Sequence, residues 1–239
     1  KKNITIFSTP FDETAVDLLE GLNTPAYKIA SFEITDLELL KYVGKTKKPV
    51  IMSTGLASKI EIKEAVDVIK KSGCSDLILL HCISSYPSPI DQSNLKQINK
   101  LYDEFNLITG LSDHSMDNVV SVAAVALGAS VIEKHFTLSR KDYGPDSEFS
   151  LEPNEFKKLC KDIKNTWNAL QSNGFSRQKA EMKSQIFRRS VYFVKDLKSG
   201  SVITSRDIRR IRPNKGLAPK YFKEIIGKKL KKNITKGTA

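Results

Sequence analysis

Apolar positions along the chain fall into two alternating kinds of segment. Short apolar runs bounded by turn residues are each followed by a longer stretch with helical spacing or helix-forming composition. The short runs predict strands at residues 4–8, 27–30, 49–53, 77–82, 107–111 and 130–136. The longer stretches predict helices at residues 12–22, 35–43, 59–72, 95–105, 116–128 and 152–173. Six successive βα units of this kind predict a parallel sheet covered by helices.

Polar side chains gather at the C-terminal end of every predicted strand. They are Ser8, Thr9, Lys28, Ser31, Glu33, Ser53, Thr54, His81, Cys82, Ser112, Asp113, His114, Glu133, Lys134 and His135. An open doubly wound sheet uses mainly the strand ends at its switch point, whereas a (β/α)8 barrel uses nearly all of them. The pattern therefore favours a TIM barrel. Six units do not close an eight-stranded barrel, and a strand is predicted directly after residues 1–3. We therefore expect two N-terminal βα units, and with them part of the active site, to be missing from this chain.

Composition and charge narrow the class of protein. With 239 residues, 40% of them hydrophobic, the chain suits one large domain and a small one. No apolar run reaches the length that a membrane span needs. Cys74, Cys82 and Cys160 form no CxxC pair, and an odd count suits reduced thiols in the cytoplasm.

The positive charge belongs to the C-terminal part of the chain. Residues 176–239 hold 19 Lys+Arg against 4 Asp+Glu, whereas residues 1–175 hold 20 against 23. Strand-like segments at 190–194 and 202–204, with turn signals between them, predict that this part folds. A solvated basic face or a site for an anionic substrate is the favoured interpretation, and a nucleic-acid arm is the alternative.

The histidines suggest a metal site. Side chains alternate along a strand, so Ser112 and His114 share one face, Glu133 and His135 share one face of the next strand, and the two imidazoles can converge on one ion. Two imidazoles without a thiolate cluster leave positions open for water and substrate, which suits a catalytic Mn, Zn or Fe ion. The alternative is that each histidine is a hydrogen-bonded core residue.

Phosphate chemistry is a second expectation. Neither GxxxxGK nor GxGxxG occurs, which argues against a nucleoside triphosphate or dinucleotide enzyme. An ammonium and several hydroxyls at strand ends can surround a small phosphorylated acid; these groups belong to Thr9, Lys28, Ser31, Ser53 and Ser112. The loop at 142–146 (DYGPD) adds a carboxylate that can meet a polyol, unless it is an ordinary turn.

Eight motifs in order resemble the sialic acid synthase family, whose members condense phosphoenolpyruvate with an amino sugar to make nine-carbon nonulosonic acids. They lie at residues 8–12 (STPFD), 27–31 (YKIAS), 52–55 (MSTG), 80–82 (LHC), 110–115 (GLSDHS), 126–129 (ALGA), 133–137 (EKHFT) and 144–146 (GPD). Residues 28–34 (KIASFEI), 83–87 (ISSYP) and 144–153 (GPDSEFSLEP) are most similar to the pseudaminic acid synthase branch. The resemblance implies a metal-dependent transferase that converts phosphoenolpyruvate and 2,4-diacetamido-2,4,6-trideoxy-altrose to pseudaminic acid and phosphate. An N-acetylneuraminic or legionaminic acid synthase of the same family is the alternative.

The C-terminal part resembles the antifreeze-like (SAF) domain that follows the barrel in this family. The similarity lies at residues 189–194 (RSVYFV), 198–204 (KSGSVIT) and 210–213 (RIRP). The expected domains are a partial TIM barrel of about six βα units at 1–170, a linker at 171–186, and a β-rich antifreeze-like domain at 187–239 whose C-terminus is slightly truncated. In the family this domain swaps across a homodimer, so the resemblance implies that Arg212 of the partner subunit reaches the sugar site.

The resemblance also implies roles for single residues. It assigns the metal, usually Mn²⁺, to His114 and His135 and the acid/base role to Glu33; these three are the expected catalytic residues. Substrate contacts are implied for Thr9, Lys28, Ser31, Ser53, Ser84 and Ser112 with phosphoenolpyruvate, and for Tyr86, Asp146 and Arg212 with the sugar. His81 is expected to support the site through hydrogen bonds and not to bind the ion.

Two other functions stay open at this point. A metal-dependent aldolase acting on a sugar phosphate would share the histidine pair and would work without phosphoenolpyruvate. A basic polyanion-binding module on an inactive barrel would bind nucleic acid or acidic polysaccharide in a salt-sensitive way and release no phosphate.

Overall fold

The computed structural model describes residues 4–171 and 174–239. The chain divides into two compact units, Lys1–Gln171 and Ser172–Ala239. The expected chain start at residues 1–3, and residues 172–173 of the predicted last helix and linker, lie outside the described residues. The predicted domain limits at 170 and 187 stay predictions.

The first unit alternates helices and strands as predicted. Its helices are α1 (Glu13–Gly21), α2 (Leu37–Lys45), α3 (Lys59–Lys71), α4 (Gln97–Phe105), α5 (Val119–Ala126) and α6 (Pro153–Ala169). Its strands are β1 (Tyr27–Ile29), β2 (Val50–Ser53), β3 (Leu77–Cys82), β4 (Ile108–Asp113) and β5 (Val131–Lys134). The strands form one sheet of parallel neighbours in the order β1-β2-β3-β4-β5. Because this order never reverses, it is the order of a barrel wall and not that of a doubly wound sheet.

The first of the six predicted strands does not form a regular element. In residues 4–8, Ser8 makes an isolated parallel bridge to Tyr27, while Ile4 and Ile6 are 71% and 81% exposed. Apolar spacing gives such residues a preference for extended backbone, but a strand also needs a neighbour that satisfies its N–H and C=O groups. The described structure supplies that neighbour at Ser8 alone.

Local signals in the sequence fix where the helices begin. Ser58 and Glu61 form a reciprocal capping box at the start of α3, because each side chain accepts a hydrogen bond from the other residue's backbone N–H. Asp12 caps α1 by accepting from the backbone N–H of Ala15 at 2.8 Å. Pro153 occupies the first turn of α6, where its missing N–H costs nothing.

The core of the first unit lies between the sheet and its helices. In α3 the buried residues recur at helical spacing: Ile62, Ala65, Val66 and Ile69. They pack with the fully buried residues of β1 and β2 in one apolar cluster. Burial of both faces explains why the strands are nearly continuous apolar runs, and it directs their polar residues to the strand ends.

The second unit is small and built around one antiparallel pair. It contains a 3-10 helix at Lys179–Phe187, strands β6 (Ser190–Phe193) and β7 (Ile208–Ile211), and the short helix α7 (Phe222–Ile225). Val191, Ile203 and Ile208 form its core. The strand predicted at 190–194 is confirmed as β6. The strand predicted at 202–204 is reduced to an isolated bridge between Val202 and Lys229.

In neither unit is any described helix both long enough and apolar enough to cross a membrane.

Candidate active site

A pocket of about 290 Å³ opens at the C-terminal ends of the strands. Its walls combine an ammonium, hydroxyls, two imidazoles, a carboxylate and a few apolar groups. The lining residues are Thr9, Lys28, Ala30, Ser31, Phe32, Ser53, Cys82, Tyr86, Ser112, His114, Glu133, Lys134 and His135. The structure therefore brings eight of the residues predicted from the sequence to one cavity: Thr9, Lys28, Ser31, Ser53, Tyr86, Ser112, His114 and His135.

Lys28 forms the positive wall of this pocket. Its side chain is buried, and Nζ donates to Ser53 Oγ at 2.8 Å and to the carbonyl oxygen of Ile29 at 3.0 Å. Both acceptors are neutral, so these two hydrogen bonds hold the ammonium in place without cancelling its charge, and the carboxylate of Glu133 lies 3.6 Å away. An ammonium carries three N–H donors, and the third remains for an anionic partner. Such a group suits the phosphate or carboxylate of a small ligand.

Glu133 is a pocket residue to which the sequence analysis assigned no role. Its Oε1 accepts a 2.6 Å hydrogen bond from Ser112 Oγ and lies 3.6 Å from Lys28 Nζ. The register pairs Ser112 directly with Glu133 across β4 and β5. The sequence did contain a signal for this contact: the alternation along the strands places Ser112 and Glu133 on the same faces as the two histidines. Residues that lie opposite each other on adjacent strands are close enough to form a hydrogen bond. Glu133 thus orients the hydroxyl and faces the ammonium of the anion-binding wall.

The His114 ring is held in one tautomer. Its Nδ1 lies 2.8 Å from the carbonyl oxygen of Ile83, and since a carbonyl can only accept, Nδ1 is the donor and Nε2 keeps a lone pair. Burial lowers the pKa of His114, and the neighbouring His135 lowers it further. The ring is therefore kept neutral, as a metal ligand or hydrogen-bond acceptor must be.

His135 completes an aromatic cluster around the pocket. The ring centroids of His114 and His135 are 5.4 Å apart, and the Tyr86 ring lies 4.3 Å from the first and 5.8 Å from the second. Asp146 Oδ2 lies 3.5 Å from Nδ1 of His135. Asp146 is therefore beside the pocket, next to a predicted metal ligand.

Two imidazoles at this separation fit a catalytic divalent cation. Neutral ring nitrogens suit Mn, Fe or Zn, and a site with few protein ligands leaves positions for water and substrate oxygen. Within residues 4–171 and 174–239 no cluster of three or more His, Cys, Asp or Glu side chains is arranged to hold an ion. The donor set is thus compatible with an open site and not with a closed structural one. The expectation of Mn²⁺ stays a prediction.

The remaining predicted residues lie outside the pocket walls. Ser84 Oγ is 2.9 Å from Ser31 Oγ, so it supports a lining residue. Glu33 is half-buried in the 3-10 turn Glu33–Thr35, and among the described residues its Oε2 has no hydrogen-bond partner. Arg212 is exposed in the second unit, and its contact with a sugar site stays a prediction.

His81 is buried away from the pocket walls. Its Nε2 lies 2.8 Å from the carbonyl oxygen of Ser93, and burial lowers its pKa. This contact is with the backbone of the loop that follows β3. Its predicted support of the ion site stays a prediction.

Comparison with known proteins confirms the resemblance to the sialic acid synthases. The NeuB family model matches residues 1–174, and the SAF domain model matches residues 188–239. Pseudaminic acid synthase from Helicobacter pylori is 41% identical over 239 residues, which cover 100% of this chain and 70% of that protein. N,N'-diacetyllegionaminic acid synthase from Campylobacter jejuni is 43% identical over 236 residues, which cover 98% of this chain and 71% of that protein.

Solved structures agree with these relatives. The crystal structure of N-acetylneuraminic acid synthetase from Leptospira borgpetersenii in complex with citrate matches with a TM-score of 0.72 at 37% identity, covering 76% of this chain and 64% of that one. The spore coat polysaccharide biosynthesis protein spsE from Bacillus subtilis matches with a TM-score of 0.68 at 32% identity, covering 99% of this chain and 72% of that one. The chain therefore belongs to the NeuB family, and its C-terminal part carries a SAF domain.

Proposed function

We propose that the protein condenses phosphoenolpyruvate with 2,4-diacetamido-2,4,6-trideoxy-altrose and releases pseudaminic acid and phosphate. The observation that carries the proposal is the joining, in one pocket, of the Lys28 wall and the His114 and His135 rings. The first suits the two anionic groups of phosphoenolpyruvate, and the second suits the aldehyde end of an open-chain sugar. Relatives named pseudaminic acid synthase, at 40–41% identity, support the choice of sugar. A legionaminic acid synthase at 43% identity makes the legionaminic precursor the competing substrate.

The chain's own groups define a reaction sequence. The hydroxyl of Ser53 and the ammonium of Lys28 would bind the phosphate and hold the enol carbon next to the sugar aldehyde, while Ser112, whose hydroxyl donates to Glu133, borders the same site. Bond formation between that carbon and the aldehyde carbon moves the electron pair of the C=O double bond onto the aldehyde oxygen, which takes up a proton, and leaves an oxocarbenium ion at the carbon that bears the phosphate. Water adds there and gives up a proton to Glu33. Collapse of the adduct turns the added hydroxyl into the keto group, breaks the carbon–oxygen bond to phosphate and passes the hydroxyl proton to the departing phosphate, whose charge Lys28 stabilises.

A divalent cation, which we propose to be Mn²⁺, would be held by His114 and His135. When bound, it would supply Lewis-acid polarisation of the sugar aldehyde. The neutral state of His114, which follows from its burial, and the tautomer fixed by its bond to Ile83 support this assignment. Tyr86 and Asp146 lie beside the two rings and would contact the sugar.

Assembly and location follow the same proposal. We infer a domain-swapped homodimer in which Arg212 of the partner subunit contacts the sugar, and a cytoplasmic location. The exposure of Arg212 in a strongly basic unit supports the first point. The free thiols of Cys74, Cys82 and Cys160 support the second.

Phosphate release tests the function. The intact protein would be given phosphoenolpyruvate, Mn²⁺ and, in parallel, the altrose sugar, its legionaminic counterpart and N-acetylmannosamine. We expect turnover with the altrose sugar and loss of turnover in His114→Ala and His135→Ala. The matched control is Lys59→Ala, since Lys59 pairs with Glu104 on the helical surface and should keep parent activity. Preference for another sugar would overturn the specificity, and salt-sensitive binding of nucleic acid without phosphate release would favour the polyanion-binding module.

A further inference from the structure

A buried ion pair lies behind the two histidines and takes no part in the proposed chemistry. Lys134 Nζ is 2.8 Å from Asp113 Oδ2, and the two side chains are 2% and 1% exposed. Asp113 directly precedes His114, and Lys134 directly precedes His135. Because side chains alternate along a strand, the charged ends of the pair point to the helical side of the sheet while the histidines point into the pocket. Lys134 also lines the pocket, but its ammonium bonds to Asp113, Ser115 and Asp117, none of which lines it.

Hydrogen bonds satisfy both charges and join four segments of chain. Asp113 Oδ1 accepts from the backbone N–H and the hydroxyl of Ser115, and Oδ2 accepts from the hydroxyl of Ser121 in α5. Lys134 also donates to the backbone carbonyl oxygens of Ser115 and Asp117. The pair therefore connects the end of β4, the turn before α5, the helix itself and the end of β5.

Stability alone is a weak explanation for such a pair. Desolvation of two charges often cancels their attraction, and well-packed apolar residues in their place are frequently neutral or stabilising. A buried polar contact can instead specify one arrangement among several. Asp113 and Lys134 are the last partners in the ladder between β4 and β5. A slip of β5 by one residue against β4 would turn His135 to the wrong face.

The two rings differ in how else they are held. His114 bonds to the backbone at Ile83, on the loop after β3. His135 directly follows the edge strand β5; its backbone carbonyl oxygen accepts a 2.9 Å hydrogen bond from the N–H of Leu151, while Asp146 Oδ2 lies 3.5 Å from the ring Nδ1, which is long for a hydrogen bond. The position of the His135 ring relative to His114 thus depends on two backbone anchors: the bond to Leu151 and the way the ends of β4 and β5 are joined.

We propose that Asp113 and Lys134 are positioning residues that fix the height and separation of the His114 and His135 rings through the backbone. The charged groups of the pair bond to residues outside the pocket lining and touch no substrate in the proposed reaction. Its consequence for ion binding and turnover rests on the proposed function. Its effect on the positions of the imidazoles does not.

The test uses a double variant, Asp113→Leu with Lys134→Met, in the intact protein. Removing both partners avoids an unpaired buried charge, so we expect the variant to fold with thermal stability near that of the parent. We expect the imidazole NMR signals of His135 to shift and broaden while those of His81 stay in place. We expect Mn²⁺ affinity, measured by titration without substrate, and kcat to fall by about 10- to 100-fold, with the KM for phosphoenolpyruvate changed less than about threefold.

The matched control is Lys63→Met with Asp67→Leu, which removes an exposed pair of the same residue types from α3. It should leave the imidazole signals and kcat at parent values. Unchanged His135 signals in a folded Asp113→Leu/Lys134→Met variant would overturn the proposal. If that variant does not fold, Lys134→Arg keeps the charge but not its shape, and parent-like His135 signals in it would also overturn the proposal. A parent that releases no phosphate would refute the proposed function, and the imidazole spectra would still decide the positioning.

Discussion

Lys28 donates two of its three N–H groups to neutral oxygens, which leaves its charge and its third donor for an anionic ligand. Lys28→Met removes both while keeping a side chain of similar length in the pocket wall. We expect the substitution to weaken binding of phosphoenolpyruvate and to leave the fold in place. The nearby Glu133 is 40% exposed, so loss of its counter-ion at 3.6 Å should change the free energy of unfolding by no more than about 1 kcal/mol.

The size of the effect follows from the interaction that is lost. A hydrogen bond to a charged group contributes about 1.5–3 kcal/mol, and each 1.4 kcal/mol is about tenfold in an equilibrium constant. Loss of the Lys28 donor should therefore lower kcat/KM for phosphoenolpyruvate by about 10- to 150-fold. Because Lys28 faces the phosphate both before and after the carbon–oxygen bond breaks, we expect a rise in KM and a fall in kcat together.

The assay is steady-state phosphate release at varied phosphoenolpyruvate and saturating sugar. Lys48→Met is the control, since Lys48 precedes β2 at the opposite end of the sheet and pairs with Glu20 at 2.6 Å. The control should keep parent kinetics. A Lys28→Met variant whose kcat/KM for phosphoenolpyruvate equals that of the control would refute the assignment of Lys28 to the anion-binding wall.

Three further predictions concern packing and pH. A Cβ at Gly110 would lie 2.3 Å from the carbonyl oxygen of Val131, so Gly110→Ala should force β4 and β5 apart and cost about 1–3 kcal/mol in the free energy of unfolding, measured by denaturant titration. The bidentate bonds from Arg140 hold the pKa of Glu155 at about 2, against 4.5 ordinarily. The stabilisation from this pair is therefore complete above pH 4.5 and lost as the pH falls towards 2. The melting temperature of Glu155→Gln should change less between pH 4.5 and 2 than that of the parent. Burial lowers the pKa of His81 below 6.5, so its imidazole NMR signals should stay those of the neutral ring as the pH falls through 6.5, and acidification in that range should destabilise the fold.

Each of these predictions has a control or a contradicting result. Gly21→Ala meets no atom within 4 Å and should be neutral or stabilising, so a cost at Gly110 no larger than at Gly21 would contradict the packing argument. Melts of Glu155→Gln that track those of the parent from pH 4.5 to 2 would show that the ion pair does not form. A His81 signal that titrates at 6.5 would show that the ring is accessible to water.

The order of strands and helices was predictable because burial leaves a simple pattern. Strand β3 (Leu77–Cys82) matches its predicted range, and the other four strands overlap theirs. Residues 4–8 show the limit of the same reasoning. Ile4 and Ile6 have strand-like spacing, but spacing reports the preference of one segment, whereas a ladder depends on which neighbour lies beside it.

The pocket was predictable as a set of residues but not as a set of contacts. Strand ends of a parallel sheet meet at one edge, which is why Lys28 and His114 could be grouped from the sequence. The contact of Glu133 with Ser112 and the pairing of Asp113 with Lys134 depend on register, and a single sequence does not fix how two strands align. Asp113 and Lys134 lie at strand ends, as the site residues do. Only the register shows that their charged groups pair with each other on the helical side of the sheet.

The fate of one oxygen atom tests the central claim most directly. Phosphoenolpyruvate labelled with ¹⁸O in the oxygen that bridges carbon and phosphorus would be incubated with the intact protein and the altrose sugar, and both products analysed by mass spectrometry. The proposed sequence breaks the carbon–oxygen bond, so the label must leave in the phosphate and the nonulosonic acid must carry oxygen from water. Label retained in the sugar acid, or phosphate released without a nine-carbon product, would contradict the account.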